Sequence, residues 1–278
     1  MTTVIGVLHP GEMGAAVGAA ARTNGARVVW ASADRGAATR ARAGTAGLED
    51  VGTVARLVAE SQLILSICPP TAAPDVAREV AALRYRGVSV DANAVAPDTT
   101  RAVGDIVSAT GATFVDGGLI GPPPHRPGTT RLYVSGPGAA EVAARFPSGP
   151  LTAIALDGAV GAASALKMAY AGWNKGSQAL LLSIRALAAR EGVDEALVRE
   201  WALSMPDLAK RTEQAVEGNT RKAWRFVGEM HEIAATFAGA GLPEGFHEAA
   251  AEVFQRLAHW KDTPTPPSLA DVQKALAP

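Results

Sequence analysis

Short runs of β-branched and aliphatic residues, separated by longer alanine-rich amphipathic stretches, fill the first 157 residues of the chain and then stop. This alternation constrains the fold most. Parallel strands buried on both faces read as near-continuous apolar runs, and each needs a crossover segment, usually a helix, before the next. Candidate strands cover residues 3–8, 27–31, 63–68, 88–91, 113–116, 131–135 and 151–156, with helical patterns over 13–23, 53–59 and 73–82. From about Asp157 to Lys261 only helical pattern remains, broken at Gly192, Met205-Pro206, Gly218-Asn219 and Gly241-Leu242-Pro243. The expected architecture is α/β, a doubly wound sheet over residues 1–157 followed by an all-α domain over 158–278.

Composition removes several classes of function. Lysine plus arginine (26) nearly balance aspartate plus glutamate (27), so no global field draws the chain to nucleic acid or to an anionic membrane surface. A small-molecule substrate is the expected partner. The single cysteine, Cys68, has no internal partner for a disulfide, and no N-terminal segment reads as a signal peptide, so a cytoplasmic location is expected. The most apolar stretch, 158–189, carries Lys167, Asn174, Lys175, Gln178 and Arg185, which argues against a membrane span.

After the first strand comes His9-Pro10-Gly11-Glu12-Met13-Gly14. Gly11 and Gly14 take the second and third places of a G-x-G-x-x-G dinucleotide loop, and His9 takes the first. The second glycine lets backbone approach a pyrophosphate, the third lets helix pack on strand, and the helix N-terminus offers amides to phosphate. An ordinary strand-to-helix turn is the competing reading. Position favours the loop: it follows the first strand, opens a helix rich in small residues, and a second strand returns within about 30 residues, as a Rossmann-type βαβ unit requires. The second strand ends Trp30-Ala31-Ser32-Ala33, without the carboxylate that usually holds the ribose of NAD. Ser32, Arg35 and Arg40 follow, groups suited to a 2′-phosphate, so NADP is the expected cofactor, with NAD kept open by Asp34. Two arginines solvated on a surface helix would read the same way.

Ser164, Lys167, Tyr170, Asn174, Ser177 and Gln178 recur at helical spacing among alanine, leucine, methionine and tryptophan. A lysine in such a setting is a candidate general acid or base, because desolvation brings its pKa toward neutrality. The competing reading is a lysine that snorkels to solvent. The same long apolar helix would face water poorly alone, so a homodimer is expected.

These residues resemble the β-hydroxyacid dehydrogenase superfamily, which includes 3-hydroxyisobutyrate dehydrogenase and the phosphogluconate dehydrogenases. Gly11-Glu12-Met13-Gly14 is similar to the family's G-x-M-G, and Asp91-Ala92-Asn93-Ala94-Val95-Ala96-Pro97-Asp98-Thr99 to its D-x-S-T-x-x-P-x-T segment. Asp116-Gly117-Gly118-Leu119-Ile120-Gly121-Pro122-Pro123 resembles its substrate-binding segment, and Gly161 with Lys167 its catalytic helix. Departures mark a divergent member: Tyr170 stands where the family has asparagine, and Gly228-Glu229-Met230 where it has K-D-L. The pattern from Trp224 to Ile233, with Gly241-Leu242-Pro243 and Phe246-His247, resembles a poorly characterised branch with a phosphogluconate-dehydrogenase-like C-terminal domain.

The resemblance implies an NAD(P)-dependent oxidoreductase that moves hydride between the nicotinamide and a small hydroxy acid or its keto or semialdehyde counterpart. Lys167 would be the acid or base, with Tyr170 and Asn174 orienting substrate or lysine. The cofactor would meet His9, Pro10, Gly11, Glu12, Met13, Gly14, Ser32, Arg35, Cys68, Pro69, Pro70 and Asn93. The substrate would meet Gly117, Gly118, Leu119, Ile120 and Gly121. Imine reduction on the same architecture and a non-catalytic NADPH-binding sensor stand as alternatives. His125, Arg126, Arg131 and Arg225 are further candidates for substrate contact, or surface groups. Glu229, His231 and Glu232 lack metal-ligand spacing, so no metal is expected.

Overall fold

The computed structural model describes residues 2–277. Its first part runs β1 (Val4–Val7), α1 (Glu12–Thr23), β2 (Arg27–Trp30), α2 (Ala37–Thr45), β3 (Glu49–Asp50), α3 (Val54–Glu60), β4 (Leu63–Ser66), α4 (Ala73–Ala82), β5 (Val88–Asp91), α5 (Pro97–Ser108), β6 (Thr113–Ile120), β7 (Thr130–Ser135), α6 (Ala139–Ala144) and β8 (Leu151–Ala155). The eight strands form one sheet in the order β3-β2-β1-β4-β5-β6-β7-β8. Every pairing is parallel except that of β6 with β7.

Each expected strand region holds a strand. The sequence reading missed β3, whose two residues are charged and exposed and so carry no apolar signature. It also stopped β6 too early: the strand continues through Gly117 and Gly118 to Ile120, paired throughout with β7. Apolar side chains alternate between the two faces, and each face has its own core. Ile5, Val7, Val28 and Trp30 pack with Val17, Ala20, Val142 and Phe146 on one side. Leu8, Val29 and Ile64 pack with Leu57, Val80, Val103 and Val107 on the other. That is the doubly wound arrangement expected, and it places the carboxyl ends of β1 and β4 side by side where the strand order reverses.

The β6–β7 connection, residues 121–129, contains Pro122, Pro123, Pro124 and Pro127. Gly121 opens it at φ 123°, where an added Cβ would lie 2.2 Å from the Thr129 carbonyl oxygen. Pro124 is buried, whereas His125 and Arg126 are exposed.

The remainder is helical: α7 (Ala162–Arg190), α8 (Asp194–Ser204), α9 (Leu208–Asn219), α10 (Ala223–Gly239), α11 (Gly245–Leu257) and α12 (Leu269–Leu276). The chain divides into two compact units between Lys167 and Met168. The sequence reading set the boundary near 157, ten residues earlier, because strand pattern ends there. Within the second unit Phe226 and Phe254 meet edge to face at 5.3 Å, joining α10 to α11. Lys175 pairs with Glu229, both nearly buried, and Arg185 grips Asp194 through Nε (2.6 Å) and a terminal nitrogen (2.8 Å). Ser268 and Asp271 form a reciprocal capping box at the start of α12. Trp173 (71% exposed), Leu187 (60%) and Leu180 (56%) stand out from α7. Among the described residues no helix is long and apolar enough to cross a membrane.

Candidate active site

The loop of residues 9–14, expected from sequence to be a dinucleotide loop, follows β1 directly. Gly11 N–H donates to the His9 carbonyl oxygen at 2.8 Å, closing a tight turn, and α1 begins with no side-chain cap on Gly11. A Cβ on Gly14 would lie 2.3 Å from the His9 carbonyl oxygen, so only glycine lets the helix sit this close to the strand end. A Cβ on Gly11 would meet nothing within 4 Å, so the loop's outer side is open. Met13 packs against the core, Pro10 is buried and Glu12 is exposed.

Two buried polar atoms beside this loop have no hydrogen-bond partner among the described residues: Nδ1 of His9 and Nε of Arg35. Burial, aided by the Arg35 charge, lowers the His9 pKa to about 4, so the imidazole is neutral at physiological pH. A neutral ring, an arginine donor and an uncapped helix N-terminus at one strand end suit a phosphate-bearing ligand. The residues therefore fit a dinucleotide.

At the end of β2 the structure corrects one expectation. β3 pairs Asp50 with Trp30, and the Asp50 carboxylate accepts from Ser32 and from Gly52 N–H at 2.8 Å. Partial burial would raise its pKa, but these hydrogen bonds and nearby Arg40 outweigh that and lower it. A carboxylate thus stands beside β2 after all, contributed by the next strand. Ser32 is buried against it, while Arg40 Nε donates to the Arg35 carbonyl oxygen at 3.0 Å.

Past β4, Cys68 N–H donates to Asn93 Oδ1 at 2.6 Å, and Asn93 Nδ2 donates to Ser66 Oγ (3.1 Å) and Asp91 Oδ2 (3.0 Å). The Asn93 side chain is thereby committed to tying β4 to β5, and at 2% exposure it is a buttress of the crevice. Burial, with the Asp91 charge, pushes the Cys68 thiol up to about 11, making it a poor nucleophile. Pro69 and Pro70 lead into a short 3-10 turn before α4.

Lys167 is half-buried and ends the first unit; Tyr170 (48% exposed) and the exposed Asn174 lie further along α7, in the second. Gly118 is the seat of the lysine turn: a Cβ there would lie 2.6 Å from the Ala163 carbonyl oxygen and 3.1 Å from Lys167 Cβ. Gly117 and Gly118 are buried, and the Leu119 side chain belongs to the core, so this segment offers backbone rather than side chains. The residues of the polar stripe share one continuous helix but not one environment. Ser164 is 1% exposed, and Gln178 pairs with Asn219 inside the helical unit.

The sequence reading passed over Lys175, whose partner Glu229 occupies the position where the family resemblance placed a lysine run. His231 Nδ1 lies 3.0 Å from Glu248, and among the described residues no acidic, histidine or cysteine cluster could hold a metal.

Residues 188–257 match the family described as a domain of unknown function (DUF1932). No curated protein matches the chain in sequence. Several solved structures do match in fold. A conserved hypothetical protein from Sinorhizobium meliloti 1021 is 28% identical, covers 99% of this chain and 96% of its own, and superposes with a TM-score of 0.72. The 3-hydroxyisobutyrate dehydrogenase of Mycobacterium tuberculosis, solved with L-serine, is 18% identical, with 99% of each chain covered and a TM-score of 0.74. A reductive aminase from Aspergillus terreus, solved with NADPH and ethyl levulinate, is 18% identical, with 99% of each chain covered and a TM-score of 0.58. The chain thus has the fold of the 3-hydroxyisobutyrate dehydrogenase-like proteins, the superfamily that its motifs resemble, with a DUF1932 match in its helical part.

Proposed function

We propose that the chain is an NADP-preferring oxidoreductase acting on a small hydroxy acid or its keto or semialdehyde counterpart. The observation that carries this reading is the convergence of unpartnered His9 Nδ1 and Arg35 Nε on an uncapped helix start at the reversal point of the sheet. When bound, the nicotinamide would supply or accept the hydride. The loop and α1 would hold the pyrophosphate, and Arg35 would meet the 2′-phosphate. Asp50 opposes that phosphate by charge and limits the margin over NAD. Lys167 would take the hydroxyl proton during oxidation or donate it during reduction, its charged form stabilising the developing oxyanion. Backbone of Gly117–Gly121 would bound the substrate, with Tyr170 and Asn174 orienting it. A second copy of the chain would cover Trp173, Leu180 and Leu187 of α7, whose exposure supports a homodimer.

Titration with NADPH and with NADH, followed by quenching of tryptophan emission, tests the cofactor claim. Micromolar NADPH binding and weaker NADH binding are expected, and Asp50→Asn widens the gap. Binding of neither removes the proposal. Lys167→Met is expected to abolish turnover of 3-hydroxyisobutyrate or its semialdehyde while leaving NADPH affinity intact; retained kcat removes the lysine from the mechanism. Retention of a lysine at 167 favours carbonyl over imine chemistry, and parallel assays with cyclic imines separate the two. Tight cofactor binding without turnover on either panel would identify a sensor.

A further inference from the structure

The Asp116 side chain, at the middle of β6, is fully buried, and no ion-pair partner accounts for it among the described salt bridges. Its oxygens instead collect four donors. Oδ2 accepts from Gly161 N–H (2.9 Å), Ser164 N–H (3.0 Å) and Ser135 Oγ (2.9 Å), and Oδ1 accepts from Ser164 Oγ (2.6 Å). Ser135 Oγ in turn accepts from Ala163 N–H (3.0 Å), and Ser164 Oγ lies 2.7 Å from Thr100 Oγ. The amides that open α7 thus end on one strand carboxylate and its serine neighbour. A helix start left without such acceptors inside a protein is strongly destabilised, and a negative charge there is favoured by the helix dipole. Two residues along the same strand, hence on the same face, Gly118 seats the next turn of α7 against Lys167 Cβ. Strand β6 therefore holds this helix at two points, one turn apart.

We propose that Asp116 is a positioning residue for Lys167, acting through the first turn of α7. The carboxylate fixes the axial position and rotation of that turn, and Gly118 fixes its height above the strand. This inference rests on the reading of Lys167 as acid or base, but the placement of the lysine is measurable without catalysis.

The test uses Asp116→Ala, Asp116→Asn and Ser164→Ala in the full chain, with thermal melts to establish folding. Asn keeps the shape and acceptor oxygen, so it rescues what Ala loses. Expected kcat with 3-hydroxyisobutyrate falls about 100-fold in Asp116→Ala, the cost of roughly 1 Å of misplacement. It falls about 10-fold or less in Asp116→Asn and Ser164→Ala, with the Kd for NADPH within about 3-fold throughout. Independently, the rate at which trinitrobenzenesulfonate labels Lys167, read by peptide mass spectrometry against Lys175 as reference, is expected to change in the order Ala, then Asn. If Asp116→Ala does not fold, Ser164→Ala carries the same two readouts. Wild-type kcat together with a wild-type Lys167 labelling rate in the folded variants overturns the proposal. Altered labelling in these variants alongside full activity of Lys167→Met would keep the positioning and overturn only the catalytic reading.

Discussion

The two units handle buried polarity in opposite ways. In the strand unit it is gathered into compact hydrogen-bonded sets along the sheet, Asp91 with Asn93, Ser66 and Cys68, and Asp116 with Ser135, Ser164 and Thr100. In the helical unit it is spent on ion pairs, Lys175 with Glu229 and Arg185 with Asp194, while large apolar side chains remain on the surface. A network of many short-range donors fixes geometry to within a bond length, which a crevice for chemistry needs. An ion pair between two long helices fixes their register, and an apolar surface leaves association open. The contrast places geometric precision in the strand unit and leaves the exposed apolar surface, which the proposed self-association would use, to the helical one.

Three changes would break or sharpen this contrast. The largest effect is expected from Lys175→Met, which leaves Glu229 buried without its counter-charge and without the ammonium that sits 4.9 Å from the Phe226 ring centre. Removing one partner of a nearly buried pair costs on the order of 3 kcal/mol, read by urea unfolding, and the loss should be partly recovered in Lys175→Met combined with Glu229→Leu. A loss under about 0.5 kcal/mol would show that the pair is solvent-screened and that the contrast is overstated.

A smaller effect concerns pH. Burial raises the Asp91 pKa to about 7 against the hydrogen bonds from Asn93, with Asp116 adding repulsion. An acid whose folded pKa exceeds its unfolded value binds an extra proton in the native state between the two. Its contribution to stability is therefore present at low pH and is lost as pH rises from about 4 through about 7. Tm should fall across that window, and Asp91→Asn should flatten the slope; an unchanged slope would remove Asp91 as its source. Smallest is Trp173→Ala. With 71% of the side chain exposed, unfolding should shift by less than about 0.5 kcal/mol, while sedimentation should show weakened self-association. A large drop in stability of the isolated chain would mean that the tryptophan serves the fold.

Much of the strand unit was legible in sequence because buried strands and amphipathic helices write their period into the chain. The loop after β1 was legible for the same reason, since Gly14 answers a local steric demand. Asp50 was not. It reaches the end of β2 by tertiary pairing from a two-residue polar strand, and neither length nor alternation announces such a strand. The role of Asp116 was hidden differently. The sequence marks the aspartate before Gly117-Gly118, but that its acceptors would be amides 45 and 48 residues onward is set by the packing of α7 on β6. Exposure along α7 also escaped a reading by period, because period tells which residues share a side of a helix but not what packs there: Ser164 is buried against Asp116, whereas Tyr170 and Asn174 are exposed.

The prolines of the β6–β7 connection have a consequence for recognition. Pro122, Pro123, Pro124 and Pro127 each fix one backbone angle, and Gly121 supplies the one conformation that no other residue tolerates there. Much of the conformational freedom of this loop is therefore already absent before anything binds. A molecule that meets His125 or Arg126 finds them on a frame already ordered, and little of its affinity is lost to freezing the loop.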